Sequence, residues 1–276
     1  MCLPLCLKKM RGLSRRGFLA SSVLAGGGVL LAQPPKSSAG DSRRPGEGVR
    51  FSRVVDLTHR LTVDFPTGSG QPQLKLERVS ARPPDRWNIF RWVVHEHTGT
   101  HLDAPLHCSV KDSADLIPAE RLVGLVAIVD IRAKAAANAD VELTVDDLKQ
   151  WESQHGQIAA GGIVAMCSGW DAHVRTAKFR NAGSDGALHT PGFHREAVDF
   201  LLAEREVAGI VVDTLSLDRG LSHDFPVHER WLGANRWGLE CVANLGELPP
   251  AGATMVVGAP KIAGASGGPS RVFALV

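Results

Sequence analysis

Four of the chain's eleven histidines, His95, His97, His101 and His107, fall in the stretch HEHTGTHLDAPLHC (95–108), with Asp103 among them. Imidazole nitrogens and a carboxylate oxygen are donors suited to Zn2+ or Mn2+. Three such donors with open positions make a catalytic site, whereas structural sites are closed by four ligands, frequently thiolates. Spacing decides whether the donors can share an ion. Four residues along a straight strand span roughly 13 Å, but around a single turn they lie about 6 Å apart on one face. Gly99 permits the bend. The apolar run RWVV (91–94) is therefore expected to deliver a tight turn that brings His97, His101 and Asp103 together, with Pro105 stiffening the exit. His107, six residues past His101, is close without needing to bind. An imidazole titrating near neutrality suits an acid/base there. His95 reads as a strand residue.

The elements that must position these groups follow from periodicity. Segments 52–59, 73–80 and 88–96 read as strands, rich in β-branched and aromatic residues. LVGLVAIVDI (122–131) and GGIVAMCSG (161–169) are continuous apolar runs, the pattern of strands buried on both faces. Segments 207–214, 252–260 and 271–276 are further strands. A helix is expected over 144–155, where Thr144 and Asp147 make a capping pair and Val145, Leu148 and Trp151 share a face. A second is expected over 191–205, opened by Pro191, with Phe193, Ala197, Phe200 and Leu201 on one stripe. Strands followed by strand–helix alternation indicate a single α/β domain over 51–276.

The run HTGTHLDAPLH (97–107) resembles the signature of the cyclase-like metal hydrolase family, which includes bacterial kynurenine formamidases and isatin hydrolases. Segments 209–218, 225–249 and 264–275 are similar to that family's later segments. The resemblance implies a swivelling β/β/α fold and a homodimer or homotetramer. It implies that His97, His101 and Asp103 hold a first divalent ion, with Asp103 bridging to a second held by His228 and Glu240. It makes His107 the acid/base. The expected reaction is hydrolysis of a small-molecule substrate, a cyclic amide or N-formyl amide, by water that the ion acidifies to a pKa of about 7. Two positions depart from the family pattern. Cys108 stands where an aromatic is common, and DFPTGSG (64–70) replaces a Pro-Gly-containing loop. Both lie on the substrate side of the chemistry.

Other motifs carry less. GASGG (264–268) fits G-x-S-x-G, but a triad histidine would have to follow it, and the last histidine is His228. Ser266 is instead expected in a Gly-rich turn lining the pocket, with Trp170 as a second lining residue. Asp213, Ser216 and Asp218 end a strand, where supporting groups gather. His155, His173, His189 and His194 read as surface residues.

Residues 1–39 hold six positive charges and no acid, and within them lies an apolar, Gly-rich stretch (17–32) too short for a comfortable membrane span. SRRGFLA (14–20) resembles a twin-arginine signal. The expectation is export to the periplasm or beyond through the twin-arginine machinery, with 40–50 as a linker. Without those six charges, 25 Lys+Arg face 29 Asp+Glu, net −4 against +2 for the whole chain. No basic patch points to nucleic acid. Three widely spaced cysteines remain, Cys108, Cys167 and Cys241, which is no disulfide framework. Two rival readings share these residues. One is an exported binding protein that uses the ion to hold an anionic ligand. The other is a lactonase or dehydratase.

Overall fold

The computed structural model describes residues 50–276, so the expected export signal and nearly all of the linker lie outside the described residues. The chain opens with β1 (Val54–Asp56) and a two-stranded ribbon, β2 (Leu74–Ser80) and β3 (Ile89–Val94). The histidine motif supplies β4 (His101–Asp103). Alternation then begins: β5 (Val123–Asp130), α1 (Arg132–Ala137), β6 (Glu142–Leu143), α2 (Val145–His155) and β7 (Ile163–Cys167). It continues through β8 (Gly192–Phe193), α3 (Arg195–Glu204), β9 (Gly209–Val212), α4 (Pro226–Gly233) and β10 (Trp237–Glu240). Strands β11 (Thr254–Gly258), β12 (Gly267–Pro269) and β13 (Arg271–Leu275) close the chain.

Nine strands form one mixed sheet in the order β1-β13-β11-β5-β7-β9-β10-β4-β12. The centre, β5-β7-β9-β10, is parallel, and both flanks are antiparallel. Period-2 alternation sorts the apolar runs onto two faces. Val126, Ile128, Ile163, Ala165 and Val211 join one core cluster, and Ala127, Val129, Val164, Met166, Ile210 and Val212 join the other. The second cluster takes Leu148, Val198, Leu201, Trp231 and Leu232 from α2, α3 and α4. The first is filled by strands from both ends of the sheet, Val55, Val272 and Ala274 meeting Leu102 and Leu239. The sheet therefore curls around its own apolar face. This is the α/β architecture expected, with one helical layer on the outer face.

Helix α2 forms as its sequence dictates. Thr144 and Asp147 complete a reciprocal capping box, which satisfies two otherwise orphaned N–H groups. The second helix corrects the expectation of a start at Pro191. The backbone N–H groups of Gly192 and Phe193 donate to Val141 O and Leu217 O (3.3 and 2.8 Å), so this pair is extended. Helix α3 begins only at Arg195, with the His194 imidazole accepting from the Glu196 N–H at 3.2 Å.

Candidate metal centre

The centre lies where β4 runs between β10 and β12. Antiparallel pairing sets Glu240 opposite His101, and Gly267 opposite Asp103 on the other side. His97 arrives from the loop before β4. Gly99 in that loop has φ +68°, a conformation that favours glycine. The expected turn is thus present, but only as far as Thr100, because His101 already belongs to a strand.

Each imidazole is aimed by its far nitrogen. His101 Nδ1 donates to Gly99 O at 2.8 Å, leaving Nε2 facing inward. His228, on the first turn of α4, has Nδ1 2.6 Å from Asp218 Oδ2. Asp218 also accepts from the N–H groups of Val227 and His228, at 2.8 and 3.1 Å, and so caps α4 while it aims the ring. His97 has Nδ1 2.5 Å from Asp103 Oδ1 and Nε2 3.0 Å from Ser266 Oγ.

The inward atoms meet at short range. His101 Nε2 lies 3.3 Å from Asp103 Oδ1 and 3.4 Å from Glu240 Oε2. His228 Nε2 lies 3.0 Å from Glu240 Oε1 and 3.6 Å from Asp103 Oδ2. The polypeptide segments that carry these residues are far apart in sequence, yet Asp103 is only 1% exposed and Glu240 only 6%. Two left-handed non-glycine residues flank the late donors, Phe225 (φ +46°) before His228 and Cys241 (φ +53°) after Glu240. Backbone strain of this kind costs about 1–3 kcal/mol per residue and gathers at functional sites.

Electrostatics tell the same story. Burial lowers the pKa of His101, but the Asp103 and Glu240 carboxylates outweigh it and hold the group up at about 10. Burial raises Asp103, yet the neighbouring imidazoles, His101 foremost, pull it well below the usual carboxylate range. Two buried carboxylates here demand positive charge beside them. The donor set fits a divalent cation. His101 Nε2 and Asp103 Oδ2 are buried with no hydrogen-bond partner among the described residues. Donors that share an ion at about 2.1 Å lie roughly 3–3.5 Å from one another, as the inward atoms do.

All five residues expected as ligands are brought together. Asp103 Oδ1 faces His97 Nδ1 and His101 Nε2, while Oδ2 faces His228 Nε2, which also lies against Glu240. The tight donor sets are His101, Asp103 and Glu240, and His97, Asp103 and His107, with Asp103 common to both. The His107 ring centroid is 3.8 Å from that of His97 and 6.0 Å from that of His228. Burial lowers the His107 pKa, partly opposed by Asp103, which favours the neutral ring.

Ser266 touches the site through His97. Trp170 stays in the core. It is 2% exposed, packs with Phe65 and Phe179, and donates from Nε1 to Phe179 O at 2.9 Å. His95 is exposed and outside the cluster. Asp213 is buried, accepting from the N–H groups of Ser168, Gly169 and Trp170 and from the Ser168 hydroxyl. Cys108, Cys167 and Cys241 are free thiols, and burial pushes Cys108 up to about 11. One contributor escaped sequence reasoning altogether. Glu96, next to His97 in the chain, binds the Ser266 hydroxyl, and nothing in its local pattern signals that.

Comparison with known proteins finds similar chains among isatin hydrolases. An isatin hydrolase of Roseibium aggregatum is 34% identical over 267 residues, covering 90% of this chain and 99% of the relative. The solved isatin hydrolase A of Labrenzia aggregata, bound to benzyl benzoate, is 38% identical with a TM-score of 0.76, over 81% of this chain and 93% of that one. The isatin hydrolase A of Ralstonia solanacearum is 41% identical with a TM-score of 0.75, over 81% and 92%. The family model named Cyclase matches residues 55–219. This match, over more than half of the sequence, and the near-complete relative show that the chain belongs to the cyclase family.

Proposed function

We propose that the protein is a metal-dependent hydrolase that opens a cyclic amide of the isatin kind. The observation that carries this reading is the cluster of buried His101, Asp103, His228 and Glu240 and half-buried His97, with His107 beside it. The relatives named as isatin hydrolases support the substrate class. A divalent cation, Zn2+ or Mn2+, held by those donors supplies Lewis acidity, polarising the amide carbonyl and lowering the pKa of water. The protein does the rest. Asp103, common to both donor triads, would be the carboxylate that joins them around a bound cation. No hydrogen bond among the described residues ties the His107 ring, so it is free to move a proton. It takes one from the attacking water and hands it to the leaving nitrogen. The water oxygen bonds to the carbonyl carbon, the C–N bond breaks, and the product is the ring-opened amino carboxylate.

The test is a turnover screen of cyclic amides beside N-formyl aromatic amines, on protein loaded separately with Zn2+ and Mn2+. Ring opening of a cyclic amide is expected. His107→Ala is expected to keep the metal and lose about 100-fold or more in turnover. A protein that binds metal and ligand but turns over none of these substrates would instead be a binding protein.

The same reading includes a homo-oligomer and export. The β2–β3 ribbon exposes Leu76, Phe90 and Trp92 on one face and Val79, Ile89 and Val93 on the other, with Trp87 at the turn. A two-stranded ribbon is marginal alone in water. The occupant of these apolar faces is a second copy of this chain. Light scattering should report a dimer or larger assembly, and Trp92→Glu should dissociate it. A monomeric wild type at micromolar concentration would refute this. Export by the twin-arginine route rests on SRRGFLA before the apolar run.

A further inference from the structure

We infer that Ser266 and Glu96 are positioning residues for His97, fixing the imidazole tautomer that presents Nδ1 to the metal. The inference rests on the reading of His97 as a ligand. The three ligand imidazoles are not alike. His101 and His228 turn Nε2 inward and anchor Nδ1 on an acceptor, Gly99 O and Asp218 respectively. His97 is reversed, with Nδ1 toward Asp103 and Nε2 toward the Ser266 hydroxyl at 3.0 Å. A hydroxyl has one proton to give. Ser266 gives it to Glu96 Oε2, whose position is further held by the Ser266 N–H at 3.2 Å. The hydroxyl must therefore accept from His97, which puts the ring proton on Nε2 and leaves the Nδ1 lone pair facing the site.

The surrounding backbone is built for this. Ala104 N–H donates to Ser266 O at 2.9 Å, tying the serine to the end of β4. The next residue, Gly267, lies against the ring. A Cβ there would sit 2.8 Å from His97 Cε1 and 2.3 Å from Leu102 O. The GASGG run thus gives His97 a flat seat and an anchor. Ser266, His97 and Asp103 do line up as a nucleophile triad does. The hydroxyl proton, however, goes to Glu96 and away from the imidazole, the opposite of general-base activation.

Partners of ligand histidines typically contribute 10- to 100-fold to metal affinity. The test measures the affinity of the purified protein for Zn2+ and for Mn2+ by competition with a chromogenic chelator. The variants are His97→Ala, Ser266→Ala, Glu96→Ala and the Ser266→Ala/His97→Ala double. Ser266→Ala is expected to weaken binding about 10- to 100-fold. Glu96→Ala should weaken it less, because the serine hydroxyl can still accept. The double variant should bind no more weakly than His97→Ala alone, since the serine acts only through that ring. Ser266→Thr, which keeps the hydroxyl, should bind more tightly than Ser266→Ala. Thermal midpoints of the metal-free variants should match wild type, which a purely structural role would not allow. Glu96 is 44% exposed, so its variant keeps the test open should Ser266→Ala fold poorly. If His97→Ala weakens binding while Ser266→Ala and Glu96→Ala stay within threefold of wild type, the inference is overturned. Additive losses in the double variant overturn it too. Unchanged affinity in His97→Ala would instead remove the ligand reading on which it rests.

Discussion

Replacing Asp218 by Asn separates the aiming of a ligand from ligation itself. Asp218 is 1% exposed and touches three donors. Oδ1 accepts from Val227 N–H, while Oδ2 accepts from His228 N–H and faces His228 Nδ1. Asparagine keeps the shape but has one acceptor oxygen. If that oxygen serves His228, the amide NH2 faces the Val227 N–H, a buried donor against a donor. If it serves Val227, the NH2 faces His228 Nδ1. The imidazole must then carry its proton on Nε2, and the lone pair that faces Asp103 and Glu240 is lost. The first arrangement costs helix capping, about 0.5–2 kcal/mol, plus about 0.3–1 kcal/mol of charge at a helix N-terminus. The second costs metal affinity, about 10- to 100-fold, or roughly 1.4–2.7 kcal/mol. Denaturant unfolding of the metal-free protein reads the first, and chelator competition reads the second. The expected result is a loss in at least one, with the sum near 2 kcal/mol. A variant with wild-type stability and metal affinity within threefold of wild type would refute the account of how His228 is aimed.

Three further outcomes are expected. Glu240→Gln should lower bound metal and cut activity while the fold survives, checked by elemental analysis and circular dichroism. Burial holds the Asp213 carboxyl at about 7 in the folded chain, above its ordinary 3.8. The stability this contributes is complete below about pH 4 and is lost as pH rises through about 7. Asp213→Asn should therefore gain on wild type by about 2–3 kcal/mol between pH 5 and pH 8, and an equal difference at both pH values in denaturant titrations would count against a protonated Asp213. Replacing Arg15 and Arg16 with Lys should strand the precursor in the cytoplasm, and normal periplasmic accumulation would argue against the twin-arginine route.

What the sequence makes legible depends on how locally a feature is encoded. The buried strands β5, β7 and β9 are readable because parallel strands covered on both faces need unbroken apolar runs. Helix α2 is readable because its capping box is complete within four residues. The start of α3 is not, because the N–H groups of Gly192 and Phe193 are claimed by Val141 and Leu217, partners far away in sequence. The site divides along the same line. His97, His101, Asp103 and His107 are set by one turn, a three-residue strand and the single 3-10 turn Pro105–Cys108 that follows it, so spacing alone brings them near. His228 and Glu240 depend on α4, on β10 pairing with β4, and on left-handed backbone at Phe225 and Cys241. None of these has a local signature, and only the family resemblance pointed to the pair.

Glu96 shows why even that can fall short. Its side chain matters through a serine 170 residues later, a contact created only when β12 lies against β4. Ligands are constrained by the chemistry of the ion, so their residue types advertise themselves. The groups that orient ligands need only offer an acceptor, a role open here to a backbone carbonyl at Gly99, a carboxylate at Asp218 and a hydroxyl at Ser266. Three imidazoles held by three different acceptors leave no common pattern for a sequence to display, although each choice fixes which nitrogen faces the cluster.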